Sequence, residues 1–184
     1  GAYYAYAEFV KYTGSEPVPL SYYQSGQQDG FKGSFYNLTL DKTLAEKPDT
    51  LIYYQPFISS KFIIYNPEGT QEIPILKMDN LNTEYKYAVF LGGDHPLGRI
   101  TTSVTNGKKI AVIKDSYGNA FIPFLLPHYQ EIFVIDPRHY KEDLGKLVRD
   151  NGIQELLVLD YAVAPRFEAY VKSLQQLAER TSQL

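Results

Sequence analysis

The sequence predicts an α/β fold in which a parallel sheet is sandwiched between helices and carries a β-rich segment on its amino-terminal side. Three observations predict it. Beyond residue 108, apolar runs alternate regularly with amphipathic helical segments. The runs Ile132-Phe133-Val134-Ile135 and Leu156-Leu157-Val158-Leu159 have no polar face, as strands covered on both sides require. Between residues 21 and 108 the texture differs, with short alternating segments separated by Asn66-Pro67-Glu68-Gly69, Gly92-Gly93 and Asn106-Gly107, whose glycines and asparagines tolerate positive φ.

The elements follow in order. A helix over residues 2–12 stops at Thr13-Gly14, ahead of Pro17 and Pro19. Short strands are predicted at 51–55, 61–65, 71–76, 87–91 and 99–103, mainly antiparallel. The regular part then reads strand 109–114, helix 117–125, strand 131–135, helix 141–150, strand 155–159 and helix 166–179, joined by right-handed crossovers. Residues 180–184 read as a frayed tail. The chain is therefore expected to form one domain, with a first helix at 1–14, a β-rich insertion at 15–108 and a parallel α/β core at 109–184.

Composition narrows the function classes. With 184 residues, 44% of them apolar and 21% charged, the chain is long enough to bury a core of its own. The formal net charge is −3, and Lys and Arg are dispersed, so a nucleic-acid partner is not expected. The absence of cysteine excludes disulfides, thiolate chemistry and cysteine-ligated metal sites, and fits a bacterial protein outside the cytoplasm. The 17 tyrosines have two readings, as amphipathic edges of the core or as a surface that meets carbohydrate or peptide.

The chemistry concentrates at the strand ends. Lys109 to Lys114 is an apolar run that ends in Asp115-Ser116, followed by Tyr117-Gly118-Asn119. A parallel strand would deliver Ser116 to the carboxyl edge of the sheet, where open α/β sheets place their ligands. Asp136, before Pro137-Arg138-His139, and Asp160, before Tyr161, end the next two strands, so all three tips should meet in one crevice. Ser116 fits two roles, nucleophile or helix N-cap, and Asp160 fits a cap. Gly118 permits close backbone approach at a helix start whose N–H groups would hold an oxyanion. A nucleophilic serine needs a base. His139 lies beyond the second strand, His95 sits in the turn Gly92-Gly93-Asp94-His95-Pro96, and His128 falls at the opposite edge of the sheet as a structural residue. No spacing resembles a metal motif, and neither a metal nor a cofactor is expected.

The blocks Lys114-Asp115-Ser116-Tyr117-Gly118-Asn119-Ala120, Pro123-Phe124-Leu125, His128-Tyr129 and Ile135-Asp136-Pro137-Arg138-His139-Tyr140 closely resemble the core of the bacterial DHHW protein family. The opening Gly1-Ala2-Tyr3-Tyr4-Ala5-Tyr6 and the middle Gly92-Gly93-Asp94-His95-Pro96 resemble it too. That family is similar to SGNH-hydrolase-like proteins that include the alginate O-acetyltransferases.

The resemblance implies a three-layer α/β/α core with a β-rich insertion, and Ser116 matches the family's serine. By the same resemblance Asp115 matches the acidic residue before that serine, and Arg138 falls where it would contact substrate or a developing anion; Tyr117, Gly118, Asn119, His139, Gly93, Asp94 and His95 are expected beside them as oxyanion or substrate contacts. The Asp-His-His-Trp signature, with the catalytic Asp and His, is expected before Gly1. Export across the membrane of a Gram-positive cell is implied, with the full-length protein secreted or membrane-anchored.

Three functions compete. The first is a serine esterase or O-acyltransferase acting on a cell-envelope polysaccharide, inactive without the upstream base. The second is a non-catalytic envelope protein of the same fold that binds glycan or a protein partner. The third is a site completed within this chain by His139 or His95.

Overall fold

The computed structural model describes residues 1–181. It is built on a six-stranded sheet of strand order β4-β3-β5-β7-β6-β8. The strands are β3 (Ser60–Asn66), β4 (Gly69–Ile73), β5 (Leu97–Thr102), β6 (Lys109–Lys114), β7 (Glu131–Ile135) and β8 (Glu155–Leu159). Both β7 and β8 run parallel to β6, whereas β5 is antiparallel to β7, and β3 and β4 continue antiparallel beyond it. The sheet is therefore mixed: the parallel strands predicted at its centre are present, and strands from the β-rich segment extend it on one side.

A separate antiparallel ribbon joins β1 (Gln24–Phe31) to β2 (Asp49–Gln55). Strand β1, QSGQQDGF, is largely polar and buries no residue, and gives no alternation by which the sequence would reveal it. The predicted strands at 71–76 and 87–91 are corrected. The first ends at Ile73, ahead of Pro74; the second is mostly a 3₁₀ turn over Lys86–Val89, and the two segments meet through a single bridge between Leu76 and Phe90.

Helices cover both faces of the sheet, which gives the three-layer α/β/α arrangement the sequence predicts. On one face α1 (Ala2–Tyr12) packs through Tyr6 and Val10. It is joined there by α4 (Ile122–Leu125), against Ile110, Val112, Ile132 and Val134. These side chains alternate along β6 and β7, so Ala111, Ile113, Phe133 and Ile135 face the other way. There they meet α5 (Leu144–Asn151) through Leu144 and α6 (Glu168–Arg180) through Leu177. Two further short helices, α2 (Gly33–Thr39) and α3 (Lys42–Glu46), lie between β1 and β2 and bury no residue.

Strand β8 departs from the two-sided burial its sequence predicts. It is the edge of the sheet, and its second face is open: Leu156 is 46% and Val158 52% exposed. The end of the chain differs as well, because Arg180 is the last residue of α6, and residues 182–184 lie outside the described residues.

This topology decides where a ligand can sit. From β6 the chain crosses to β7 through α4 on one face and then passes from β7 to β8 through α5 on the other. The carboxyl end of β6 is thus a topological switch point, where the two connections diverge and leave a crevice. Ser116 follows that end directly.

Candidate active site

The segment after β6 is shaped by Asp115. Its Oδ1 accepts the Tyr117 N–H at 2.9 Å and starts a 3₁₀ turn over Ser116–Ala120; its Oδ2 accepts the Tyr161 N–H at 2.8 Å, tying the ends of β6 and β8 together. Asp115 is therefore the cap, which frees the Ser116 hydroxyl from that task. Pro123, near the start of α4, accompanies the division of the helix predicted over 117–125 into this 3₁₀ turn and a short α-helix.

The Ser116 hydroxyl donates to Asp94 Oδ2 at 2.5 Å and accepts from Arg138 Nη2 at 3.0 Å. Asp94 reaches it from a turn built of three left-handed residues, Leu91 (φ 60), Gly92 (φ 71) and Gly93 (φ 109). A buried leucine in that conformation is costly and persists only where packing over-determines it. Gly92 and Gly93 are the residues that make the turn possible without further strain.

Around Asp94 the polar groups close into a network. Lys114 Nζ donates to Asp94 Oδ1 at 2.8 Å, and Asn119 Nδ2 donates to the same oxygen at 3.0 Å and to the Gly93 carbonyl at 3.3 Å. Arg138 Nη2 meets Asp94 Oδ2 at 2.9 Å and Asp136 Oδ2 at 2.5 Å, while its Nε and backbone N–H donate to Asp136 Oδ1. Lys114 is 1% exposed and Asp136 is fully buried, 3.9 Å apart. Two carboxylates thus balance two cations, the condition under which buried charge is tolerated.

Burial pushes the Asp94 carboxyl up, but Lys114, Ser116 and Arg138 outweigh it and hold Asp94 well below the usual carboxylate range. It is a fixed anion, too weak a base to take the serine proton. Arg138 is held charged chiefly by its hydrogen bonds to Asp136, against the cost of its burial.

Gly118 serves the network sterically. A Cβ there would stand 2.7 Å from Lys114 Cβ, so glycine lets the turn fold back over the lysine side chain. The Gly118 N–H donates to the Asp115 carbonyl at 3.1 Å. With the Tyr117 N–H also engaged by Asp115, neither is free in this conformation for the oxyanion role predicted of the backbone here.

Of the sequence-predicted residues, the structure brings together Ser116, Asp94, Gly93, Asn119 and Arg138, with Asp115, Tyr117 and Gly118 shaping the turn that holds them. It does not bring in the histidines. His95 Nε2 is hydrogen-bonded to the Leu91 carbonyl at 3.0 Å and its ring meets Phe62 edge-on. His139 is exposed, and among the described residues no hydrogen bond joins it to Ser116. His128 is structural: its Nε2 pairs with the Tyr6 hydroxyl at 2.7 Å. Asp160 neither joins the cluster nor caps a helix; it accepts the Tyr170 hydroxyl.

Asp136 joins the crevice as its strand-end position predicts, in the role of counter-ion, and Lys114 is the member that residue-by-residue reading leaves out of the site. Its signal was present, since a lysine closing an apolar strand must find a buried carboxylate. Among the described residues no group of three or more His, Asp or Glu side chains is arranged to hold a metal ion.

Ser116 and Arg138 open onto a cleft of about 670 Å³, within the size range of small-ligand pockets. The rings of Tyr117 and Tyr161 stack on its wall at 4.2 Å between centroids.

The DHHW protein family matches residues 1–135, well over half of the chain. The chain belongs to the DHHW protein family. A DHHW family protein from Eubacterium siraeum DSM 15702, whose crystal structure is at 1.49 Å resolution, superposes with a TM-score of 0.80 at 26% identity, covering 99% of this chain and 61% of that one. PatB1 of Bacillus cereus has the same fold at 18% identity. Its structure with a sulfonyl adduct gives a TM-score of 0.73 over 92% of this chain and 59% of that one, and a second PatB1 structure gives 0.72 over 92% and 61%. This DHHW family chain spans about three fifths of the length of these solved structures. No curated protein matches it.

Proposed function

We propose that this DHHW family chain carries the nucleophile of an SGNH-like serine esterase or O-acyltransferase that acts on a cell-envelope glycan outside the cytoplasmic membrane. The observation that carries the reading is the Ser116 hydroxyl at the switch point of the sheet, with a guanidinium nitrogen 3.0 Å from its oxygen. Family membership and the shared fold of PatB1, which has been solved with a sulfonyl adduct, support it.

In this reading Ser116 Oγ attacks the carbonyl carbon of an acyl ester while its proton passes to an imidazole from the family's Asp-His-His-Trp signature. The tetrahedral intermediate collapses with return of that proton to the departing alcohol oxygen, leaving an acyl-serine. A glycan hydroxyl, or water in an esterase, then attacks the acyl-serine and regenerates Ser116. Asp94 holds the serine in place at rest, and Arg138 is the side-chain donor beside the developing anion.

A second reading, a non-catalytic glycan- or protein-binding member of the family, draws on the absence of any imidazole hydrogen-bonded to Ser116 among the described residues. One assay separates the two. A protein extended through the Asp-His-His-Trp signature is expected to hydrolyse p-nitrophenyl acetate, and Ser116→Ala to abolish that turnover. Equal rates for the two proteins would refute the catalytic reading.

A further inference from the structure

The cleft beside Ser116 has two lysines and an aromatic wall that nothing in the chemistry of acyl transfer requires. The chain carries a net charge of −3, yet the cleft is lined by three cations, Arg138, Lys141 and Lys172, against one carboxylate, Asp115. Both oxygens of that carboxylate already accept backbone N–H groups. Arg138, paired with Asp94 and Asp136, faces Ser116 and is assigned to the acyl-transfer step.

The two lysines remain. Lys141 Nζ donates one hydrogen bond, to the Arg138 carbonyl at 2.8 Å, so two of its three protons are left for a ligand. Lys172 is exposed on α6, and among the described residues it has no ion-pair partner. Opposite charge gathered in this one cleft of an acidic protein is the complement of an anionic ligand.

The wall is aromatic and held rigidly. Tyr117 and Tyr161 lie almost parallel, 13° apart, and their backbone N–H groups are the two that Asp115 grips. The Tyr87 hydroxyl donates to the Tyr117 carbonyl at 2.9 Å and ties the Tyr117 backbone a second time. A preorganised aromatic face suits the apolar C–H face of a pyranose ring, leaving its hydroxyls and carboxylate for polar groups around it.

We propose that this cleft is a subsite for an acidic sugar unit, a pyranose bearing a carboxylate, with the Tyr117–Tyr161 pair as its wall and Lys172 and Lys141 as the groups that select its charge. The proposal rests on the reading of Ser116 as part of a glycan-modifying site, and its test does not depend on turnover. Asp115 is the positioning residue for the wall.

The test is calorimetric titration of the 184-residue protein with tetragalacturonate and with its methyl ester, which keeps the ring and removes the charge. The acidic probe is expected to bind about tenfold or more tightly than the ester, with the difference shrinking as salt is raised. Lys172→Glu, at an exposed helical position, should erase the preference. Tyr161→Ala should weaken both probes, and Tyr161→Phe should restore binding because it keeps the ring.

Equal affinity for the two probes, binding of neither, or an unchanged preference in Lys172→Glu would overturn the proposal. Failure of the catalytic reading looks different. Ser116→Ala should bind the acidic probe normally whatever its turnover, and acyl transfer to neutral sugars alone would sink the acidic subsite while leaving the catalytic reading intact.

Discussion

Ser116 and Asp94, 22 residues apart in sequence, are joined by a 2.5 Å hydrogen bond in which the hydroxyl donates to the carboxylate. The same carboxylate accepts from Lys114, Asn119 and Arg138, so one side chain sets the position of the serine and bridges two cations. The stability of the carboxyl end of β6 and the geometry of Ser116 are therefore coupled through Asp94.

Replacing that carboxylate exposes the coupling. Asp94→Asn keeps the shape but leaves Lys114 buried with only Asp136, 3.9 Å away, as its counter-ion. A loss of about 3 kcal/mol is expected, toward the lower end of what breaking a buried pair costs because one partner remains. Urea unfolding of the variant beside the parent checks it.

Gly118→Ala tests the steric half of the same arrangement. The added methyl meets Lys114 Cβ at 2.7 Å and must move either the turn or the lysine. The expected cost is about 1–3 kcal/mol, typical of overpacking. Gly118 has no positive φ, so its cost reads the contact alone, whereas Gly107→Ala, at a φ of 74 with nothing within 4 Å of the new carbon, reads backbone strain alone.

Acid should destabilise the fold in two stages. Burial lowers the pKa of His128 and of His95, with the bond to the Leu91 carbonyl opposing it for His95. A depressed histidine contributes stability that is present above its unfolded value and lost as pH falls through the folded one, so the first decline begins below about pH 6.5. Asp94 follows the same sign: its contribution is complete above the unfolded carboxylate value of about 4 and disappears at more acidic pH. Unfolding free energies measured from pH 8 to pH 3 should fall in that order, and His128→Gln should flatten the first stage.

Arg138 is expected to act on rate. In a protein extended through the Asp-His-His-Trp signature, Arg138→Ala should lower kcat for p-nitrophenyl acetate by about 10²–10³, the usual loss when one oxyanion donor is removed. Arg138→Lys should recover little, because a single ammonium cannot span Asp136, Asp94 and Ser116 as the guanidinium does. Steady-state kinetics that show only a raised KM would assign Arg138 to binding alone.

The parallel core was legible because its signals are local. Strands β6, β7 and β8 run over the residues their apolar patterns mark, and α1 spans residues 2–12 as its stop signals indicate. The open face of β8 was hidden, since Leu156 and Val158 look the same whether covered or not. Strand β1 was invisible because a polar ribbon carries no periodicity, and the segment around Tyr87 was misread because aromatic residues favour strands and 3₁₀ turns that bury one face alike.

Within the site, Ser116 announced itself through the abrupt end of an apolar run. Asp94 was expected near the serine, but its role as the partner of Ser116, Lys114 and Arg138 was not visible, since its bonds to β6 and to the end of β7 are tertiary. Lys114 and Asp136 each make sense only once the other's neighbourhood is known. The histidines show the limit of counting candidate bases, because His95 is occupied by Leu91 and His139 is exposed with no hydrogen bond to Ser116 among the described residues, while His128 pairs with Tyr6 as the structural residue it was read to be.

The most direct test of Ser116 as the nucleophile is intact-protein mass spectrometry after exposure to phenylmethylsulfonyl fluoride, using the protein extended through the Asp-His-His-Trp signature. Attack by the serine oxygen forms an O–S bond and expels fluoride. One sulfonyl group per chain, mapped to Ser116 by peptide sequencing and absent from Ser116→Ala, is the predicted result. An unmodified chain, or equal labelling of the alanine variant, would contradict it.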